Sequence, residues 1–517
     1  MLKDIFKSNA RRYPDKTAVI FEDTRYTYKE FNARLNRLSN ALINLGLRKG
    51  DLIAIVADDC IQHIEIFWAG VKTGIVSSVL NPHISERDLS HIICNGKARA
   101  VVCNHKYKGM IESLRPQLES VKEFIVFGTA GEGFKSYDSL ILSSSPEEPA
   151  VEISEDDLLY FANTSGTTGL PKQVMHTYKS LFSTALMDLD AVNYDVRAGN
   201  VFLVAAPLFW GYLIARISIP AFYTGCTLVI PADLAPQGLL EIIQRERVTN
   251  ILTGTAFFQP IIDNRDLGKY DYSSVRNIFA YGYFPPEVWQ KAIQLFGRIF
   301  LLGYGLSEIG LISMLPPEDF VFEGHPEKVK RVRSCGREGL CVEARVINDQ
   351  GENVQPGEVG EVIAKADSLM KGYWNAPQAT EQTIRDGYIY TGDLATVDED
   401  GYIFLVGRKK DSITTQGKMV LPLEIEEIIL QHPQVLEVAV IGVPDEELGD
   451  AVAAVIVKRN GDITEDEVIA LCQENLPDYA VPRSIDFVES LPKTGSGRVQ
   501  RYKLKENYVR KLRGQKG

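Results

Sequence analysis

Between Thr164 and Lys172 the chain reads Thr-Ser-Gly-Thr-Thr-Gly-Leu-Pro-Lys, directly after an apolar run that has strand character. Gly166 and Gly169 let backbone N–H groups turn toward an anion, and Thr164, Ser165, Thr167 and Thr168 add hydroxyl donors. Lys172 supplies a charge long enough to reach a polyphosphate. The composition is that of a phosphate cradle, although a generic Ser/Thr/Gly surface turn shares it. It is not a Walker A loop, because Pro171 stands where that motif needs glycine before the lysine. Three further groups carry chemistry-bearing residues: Tyr304-Gly-Leu-Ser-Glu308, Tyr390-Thr-Gly-Asp393 and Arg408-Lys-Lys-Asp411. Each alone also reads as something plainer, a core aromatic at Tyr304 and exposed turns at the other two.

Positioning such groups requires a scaffold, and the hydrophobic spacing describes one. Phe31, Leu35, Leu38, Ala41, Leu42 and Leu45 recur at three- and four-residue intervals, which predicts a helix over 28–47. A strand over 52–56, a helix over 61–72, a strand over 76–80, a helix over 86–95 and a strand over 100–102 follow. Further strands are expected at 123–127, 201–204, 227–230, 250–253 and 299–303, with helices at 238–246 and 286–296. This alternation calls for parallel sheets with crossover helices, so the fold class is α/β. After Cys335 short alternating segments with Gly and Pro turns predict a small antiparallel β unit, and beyond Asp411 a compact α+β unit follows. The expected division is a large domain over 1–409 and a small one over 410–517.

The bulk properties narrow the function. At 517 residues the chain exceeds what one hydrophobic core supports. Apolar residues at 45% and charged residues at 24% describe a folded protein. A net charge of −12 leaves no basic field for nucleic acid. Seven cysteines without C-x-x-C spacing argue against a disulfide framework or a zinc cage and read as reduced, mostly buried thiols. The N-terminus lacks a continuous apolar core, and Pro207, Arg216 and Pro220 interrupt the most apolar region, 201–231, before it reaches membrane-spanning length. A cytoplasmic protein with neither signal peptide nor membrane segment is expected.

The order TSGTTGLPK, YGLSE, YTGD and GRKKD resembles the signature of the acyl-adenylate-forming superfamily, which contains acyl-CoA synthetases, firefly luciferase and peptide-synthetase adenylation domains. The resemblance covers essentially the whole chain and implies an AMP-forming carboxylate–CoA ligase with ATP, Mg2+ and coenzyme A as its small molecules. It implies that residues 164–169 and Lys172 hold the ATP phosphates, that Tyr304 and Gly305 lie at adenine, and that Ser307 meets phosphate. It further implies that Glu308 helps to hold magnesium, that Asp393 and Arg408 reach the ribose, and that Lys410 and Asp411 form a hinge. Gly417 then lies beside the pantetheine tunnel once the small domain has rotated. Arg498, in LPKTGSGRVQR, matches a position usually held by a catalytic lysine, and Lys493 or Arg501 could assist it.

Three more departures from the pattern concern the acid. Trp210 stands where many relatives carry His, Tyr178 where a His commonly follows the phosphate loop, and Ala280, Tyr281, Gly282 and Tyr283 replace a Gly-Gly-Ala-Pro-like stretch. Trp210, Tyr281 and Gly282 are the expected acyl-pocket residues, for a fatty, alicyclic or aromatic acid. The competing readings are an enzyme that loads a carrier protein and a weakened acyl-adenylate-binding protein.

Overall fold

The computed structural model describes residues 2–515 apart from 130, 165–169, 192–195, 283, 446, 460 and 494–498. Its helices form where the sequence caps them. Thr27 accepts from the Glu30 backbone while the Glu30 side chain returns to Thr27, a capping box that starts the helix Tyr28–Asn44. Phe31, Leu35, Leu38 and Leu42 make its buried stripe.

Two large sheets carry the N-terminal part. The first has eight strands, in the order Gly372–Tyr373, Gln173–Thr177, Leu158–Asn163, Val76–Leu80, Leu52–Val56, Ala100–Asn104, Glu123–Phe127 and Lys135–Ser136. The second has nine, in the order Arg337–Glu338, Gly310–Leu315, Phe300–Leu306, Asn277–Tyr281, Asn250–Gly254, Val201–Ala205, Thr227–Ile230, Thr17–Phe21 and Thr24–Thr27. Their central strands pair in parallel; three of the four edge strands pair antiparallel, and the fourth, Lys135–Ser136, pairs in parallel with Glu123–Phe127. The apolar region after Val201 is core, as expected: a strand, the helix Leu213–Tyr223 with Pro220 inside it, and a second strand.

The C-terminal unit is α+β. Ile413–Thr415, Lys418–Val420, Val435–Asp445, Gly449–Lys458 and Ser484–Val488 form one sheet. Helices Pro422–Ile429 and Glu465–Asn475 cover it through Ile425, Ile429, Val440, Ile456, Val468 and Cys472.

By compactness the chain divides into two units. One holds the chain up to Thr164 with Leu170–Ala344 and Ala364–Ile389; the other holds Arg345–Ile363 and everything from Tyr390 onward. The chain therefore passes between units inside the strands Val342–Ile347, Gly360–Ala366 and Tyr388–Val397. Five of the seven free cysteines are buried. Among the described residues no helix is long and apolar enough to cross a membrane.

Candidate active site

The segment 164–172 leaves an antiparallel hairpin in which Asn163 pairs with Gln173. Its neck is tied twice: Thr164 N donates to Lys172 O, and Lys172 N donates to Thr164 Oγ1, each at 3.0 Å. Ser165, Gly166, Thr167, Thr168 and Gly169 lie outside the described residues. Lys172 Nζ stands 4.8 Å from the centre of the Tyr373 ring, and Tyr373 Oη donates to Glu308 Oε1 at 2.7 Å. Burial and the neighbouring carboxylate push the Tyr373 phenol well above its ordinary pKa, so it remains a donor. Lys172, Tyr373 and Glu308 thus form one contiguous set, although Tyr373 has no local motif to announce it.

Tyr304, Gly305 and Leu306 end the strand Phe300–Leu306, whose register against Gly310–Leu315 slips between Tyr304 and Gly305, and Ser307 and Glu308 follow it. A Cβ at Gly305 would lie 1.7 Å from Gly310 O, so only glycine lets the hairpin close there. Ser307 is held from behind. His176 Nε2 lies 2.8 Å from Ser307 O, and burial drives the imidazole pKa down to about 4. The ring is therefore neutral at pH 7 and donates its Nε2–H to that carbonyl. Tyr178 is a core residue, its hydroxyl donating to Gly70 O and Val71 O. A histidine does follow the loop, His176, two residues before Tyr178. Strand alternation over Gln173–Thr177 was the available signal, since His176 is fully buried.

Trp210 and Tyr281 share one face of the nine-stranded sheet. Gly254 pairs with Tyr281 across neighbouring parallel strands, and a Cβ at Gly254 would meet Trp210 Cζ3 at 2.6 Å. Gly282, at φ +103°, sits against Thr255. The loop bearing Trp210 is anchored where Leu208 N donates to Asp59 Oδ1 at 2.9 Å. Burial raises the Asp59 pKa to about 7.

In the second unit Asp393 is buried and bonds Arg408 Nε at 2.7 Å, the two being opposite in an antiparallel pair. Gly392 N donates to Glu361 Oε1, and Lys409 Nζ reaches Glu361 Oε2 at 3.2 Å. Asp411 stands 3.9 Å from Arg501 Nη1. Gln416 and Gly417 both have positive φ, +50° and +72°, and form the two-residue turn of the hairpin 413–420. Arg498 lies outside the described residues. Its two candidate assistants are already engaged, Arg501 with both oxygens of Glu426 and Lys493 with Glu437. Lys410, like Asp393, Arg408 and Asp411, belongs to this unit.

Residues 6–374 match the family described as AMP-binding enzyme, and residues 424–498 match its C-terminal domain. The chain belongs to the AMP-binding enzyme family. A feruloyl-CoA synthase of Amycolatopsis is 30% identical over 96% of this chain and 97% of its own. A long-chain-fatty-acid–CoA ligase of Mycobacterium tuberculosis is 30% identical over 94% of each chain. The solved structure of an anthranilate CoA ligase with anthranoyl-AMP matches with a TM-score of 0.85 at 26% identity, covering 98% of this chain and 96% of that one. The chain is an AMP-forming acid–CoA ligase, an AMP-binding enzyme that uses ATP and coenzyme A.

Proposed function

We propose that the enzyme activates a fatty, alicyclic or aromatic acid through an acyl-adenylate, and that the set Lys172, Tyr373 and Glu308 serves the first half-reaction. A carboxylate oxygen of the acid attacks the α-phosphorus of ATP; the bond to the β-phosphate oxygen breaks and pyrophosphate leaves. The observation that carries this assignment is the clamped neck at Thr164 and Lys172, with Lys172 Nζ 4.8 Å from the Tyr373 ring that also bonds Glu308. The neck fixes the two ends of the loop, Thr164 and Lys172, and Lys172 neutralises charge that grows on the leaving group. Tyr304 and Gly305 take the adenine side, Ser307 a phosphate oxygen, Asp393 and Arg408 the ribose.

A magnesium ion fits this donor set, because such ions bind through one or two carboxylates together with substrate phosphates and waters. Glu308 is the carboxylate that would hold it, with Tyr373 fixing the side chain's orientation. Bound there, it would shield phosphate charge. Among the described residues no cluster of three or more His, Cys, Asp or Glu competes as a metal site.

In the second half-reaction the coenzyme A thiolate attacks the acyl carbonyl carbon and AMP leaves. Lys410 and Asp411 are assigned as the pivot between 1–409 and 410–517, Gly417 as the residue beside pantetheine, and Arg498 as the cation for adenylation. Pyrophosphate release with a panel of acids, with and without coenzyme A, tests this reading. Acid-dependent release followed by CoA-dependent thioester is expected; absence of acid-dependent release overturns it.

A further inference from the structure

The wall assigned to the acid is aromatic where its backbone is bare. Tyr281 pairs with Gly254 on one side and Gly303 on the other, so the three residues share a face of the sheet. The Trp210 ring fills the space over Gly254, and a Cβ at Gly303 would lie 3.0 Å from Tyr281 Cε1. Phe257 meets Trp210 edge-on at 5.4 Å between ring centres.

Two polar hydrogens in this wall lack an acceptor among the described residues. Trp210 Nε1 and Tyr281 Oη are both buried, and among the described residues neither has an acceptor for its hydrogen, while the donor-only Arg216 side chain stands by the Tyr281 oxygen. The Arg216 guanidinium faces the Tyr281 ring at 4.6 Å from its centre, presenting charge to the π face. Folded proteins seldom keep a buried N–H or O–H without an acceptor, and those they keep tend to have a task.

Past Tyr281 the same face closes. Arg216 is held by Asp188, with Nε 3.0 Å from Oδ2 and Nη2 bonded to Oδ1, both side chains being buried. The cavity beside this pair, between Asp188, Arg216, Asn250, Asn277 and Phe279, measures about 30 Å³. That volume suits one or two waters and not an alkyl chain. A buried ion pair is also a poor wall for hydrocarbon, since each charge depends on its partner to offset lost hydration.

We infer that the acid is compact and carries an oxygen substituent beyond its carboxylate, a ring hydroxyl or ether, that engages Trp210 Nε1 and Tyr281 Oη. The inference rests on the adenylation reading of this pocket. Trp210 only donates, and with Arg216 at its oxygen Tyr281 is left to donate, so the group must accept, as a hydroxyl or ether oxygen does. A methyl group of similar size serves neither and leaves two polar atoms dry, a difference that binding sites convert into strong discrimination.

The test uses the full-length enzyme with ATP, reading pyrophosphate release. Hydroxyphenyl acids are compared with methylphenyl acids of equal spacer length, and straight-chain acids of increasing length form a second series. At least ten-fold higher kcat/KM for each hydroxylated member is expected, with release falling below detection for dodecanoate and longer chains. Tyr281→Phe and Trp210→Phe should each shrink the hydroxyl-to-methyl ratio toward one. Equal or better use of the methyl member, or a long alkanoate as the best acid, overturns the inference while leaving the ligase intact. A hydroxyl preference unchanged in both variants overturns the assignment to these two atoms. Pyrophosphate release with no acid at all would overturn the adenylation reading, and this inference with it.

Discussion

Replacing Arg501 by alanine probes the C-terminal unit at its most concentrated charge contact. Glu426 is buried, its side chain 8% exposed, and accepts from Val440 N at 2.7 Å and from Arg501 Nη2 at 2.6 and 2.7 Å. Arg501→Ala leaves that carboxylate with one hydrogen bond and with Asp411 as a like-charged neighbour. Removing one partner of a buried pair costs roughly 3–5 kcal/mol. The lower end, about 3 kcal/mol, applies here because Arg501 is 27% exposed and water can follow into the gap. Burial already raises the Glu426 pKa in the folded chain. A carboxyl with a raised folded pKa binds more protons folded than unfolded, so its contribution to stability falls as pH rises. Losing Arg501 raises that pKa further, and the damage should be larger at pH 8 than at pH 5.5. Hydrogen exchange of the amides in Pro422–Ile429 and Val435–Asp445 measures the opening free energy in the intact chain. A loss under ~1 kcal/mol at pH 8, or a loss that grows on acidification, would refute the reasoning.

The other predictions concern the half-reactions and the fold. Lys172→Ala should lower adenylation by about 10²-fold, the order seen when one preorganised charge-stabilising group is removed, with single-turnover pyrophosphate release as the measurement. Gly417→Leu should spare adenylation and block thioester formation; comparable loss in both would argue against the tunnel assignment, after allowing ~1–2 kcal/mol for a leucine at φ +72°. Arg498→Lys should preserve or raise adenylation, and its abolition in the same assay would mean that the site is built around arginine. Gly305→Ala, whose Cβ would sit 1.7 Å from Gly310 O, should lower the thermal midpoint by several degrees or abolish soluble expression.

The elements with strong local patterning are legible in the sequence. The helix from Tyr28 shows a capping box and a 3.6-residue stripe, the strand at 52–56 is a short apolar run, and that at 76–80 sets apolar ends around two serines between helices. The strand Asn277–Tyr281 leaves no clear pattern in the sequence, because its alternation of Asn, Phe and Tyr on one face mixes polar and apolar residues. Its meaning appears only in register with Gly254 and Gly303. In the candidate site, glycines and charged residues of the motifs could be named from order alone, whereas His176 and Tyr373 could not. They act through contacts with Ser307 and Glu308, residues far away in sequence, and such contacts leave no local signature.

The three strands that carry the chain from one compact unit to the other have a practical consequence for recombination. The C-terminal family match begins at residue 424, which invites a single splice there when grafting that domain from a relative. Such a splice falls inside the second unit and separates it from Arg345–Ile363 and from the Asp393–Arg408 pair. A graft that respects compactness must take two segments, 345–363 and 390–517, together. By the same logic one proteolytic nick frees neither unit, since other covalent crossings still join them.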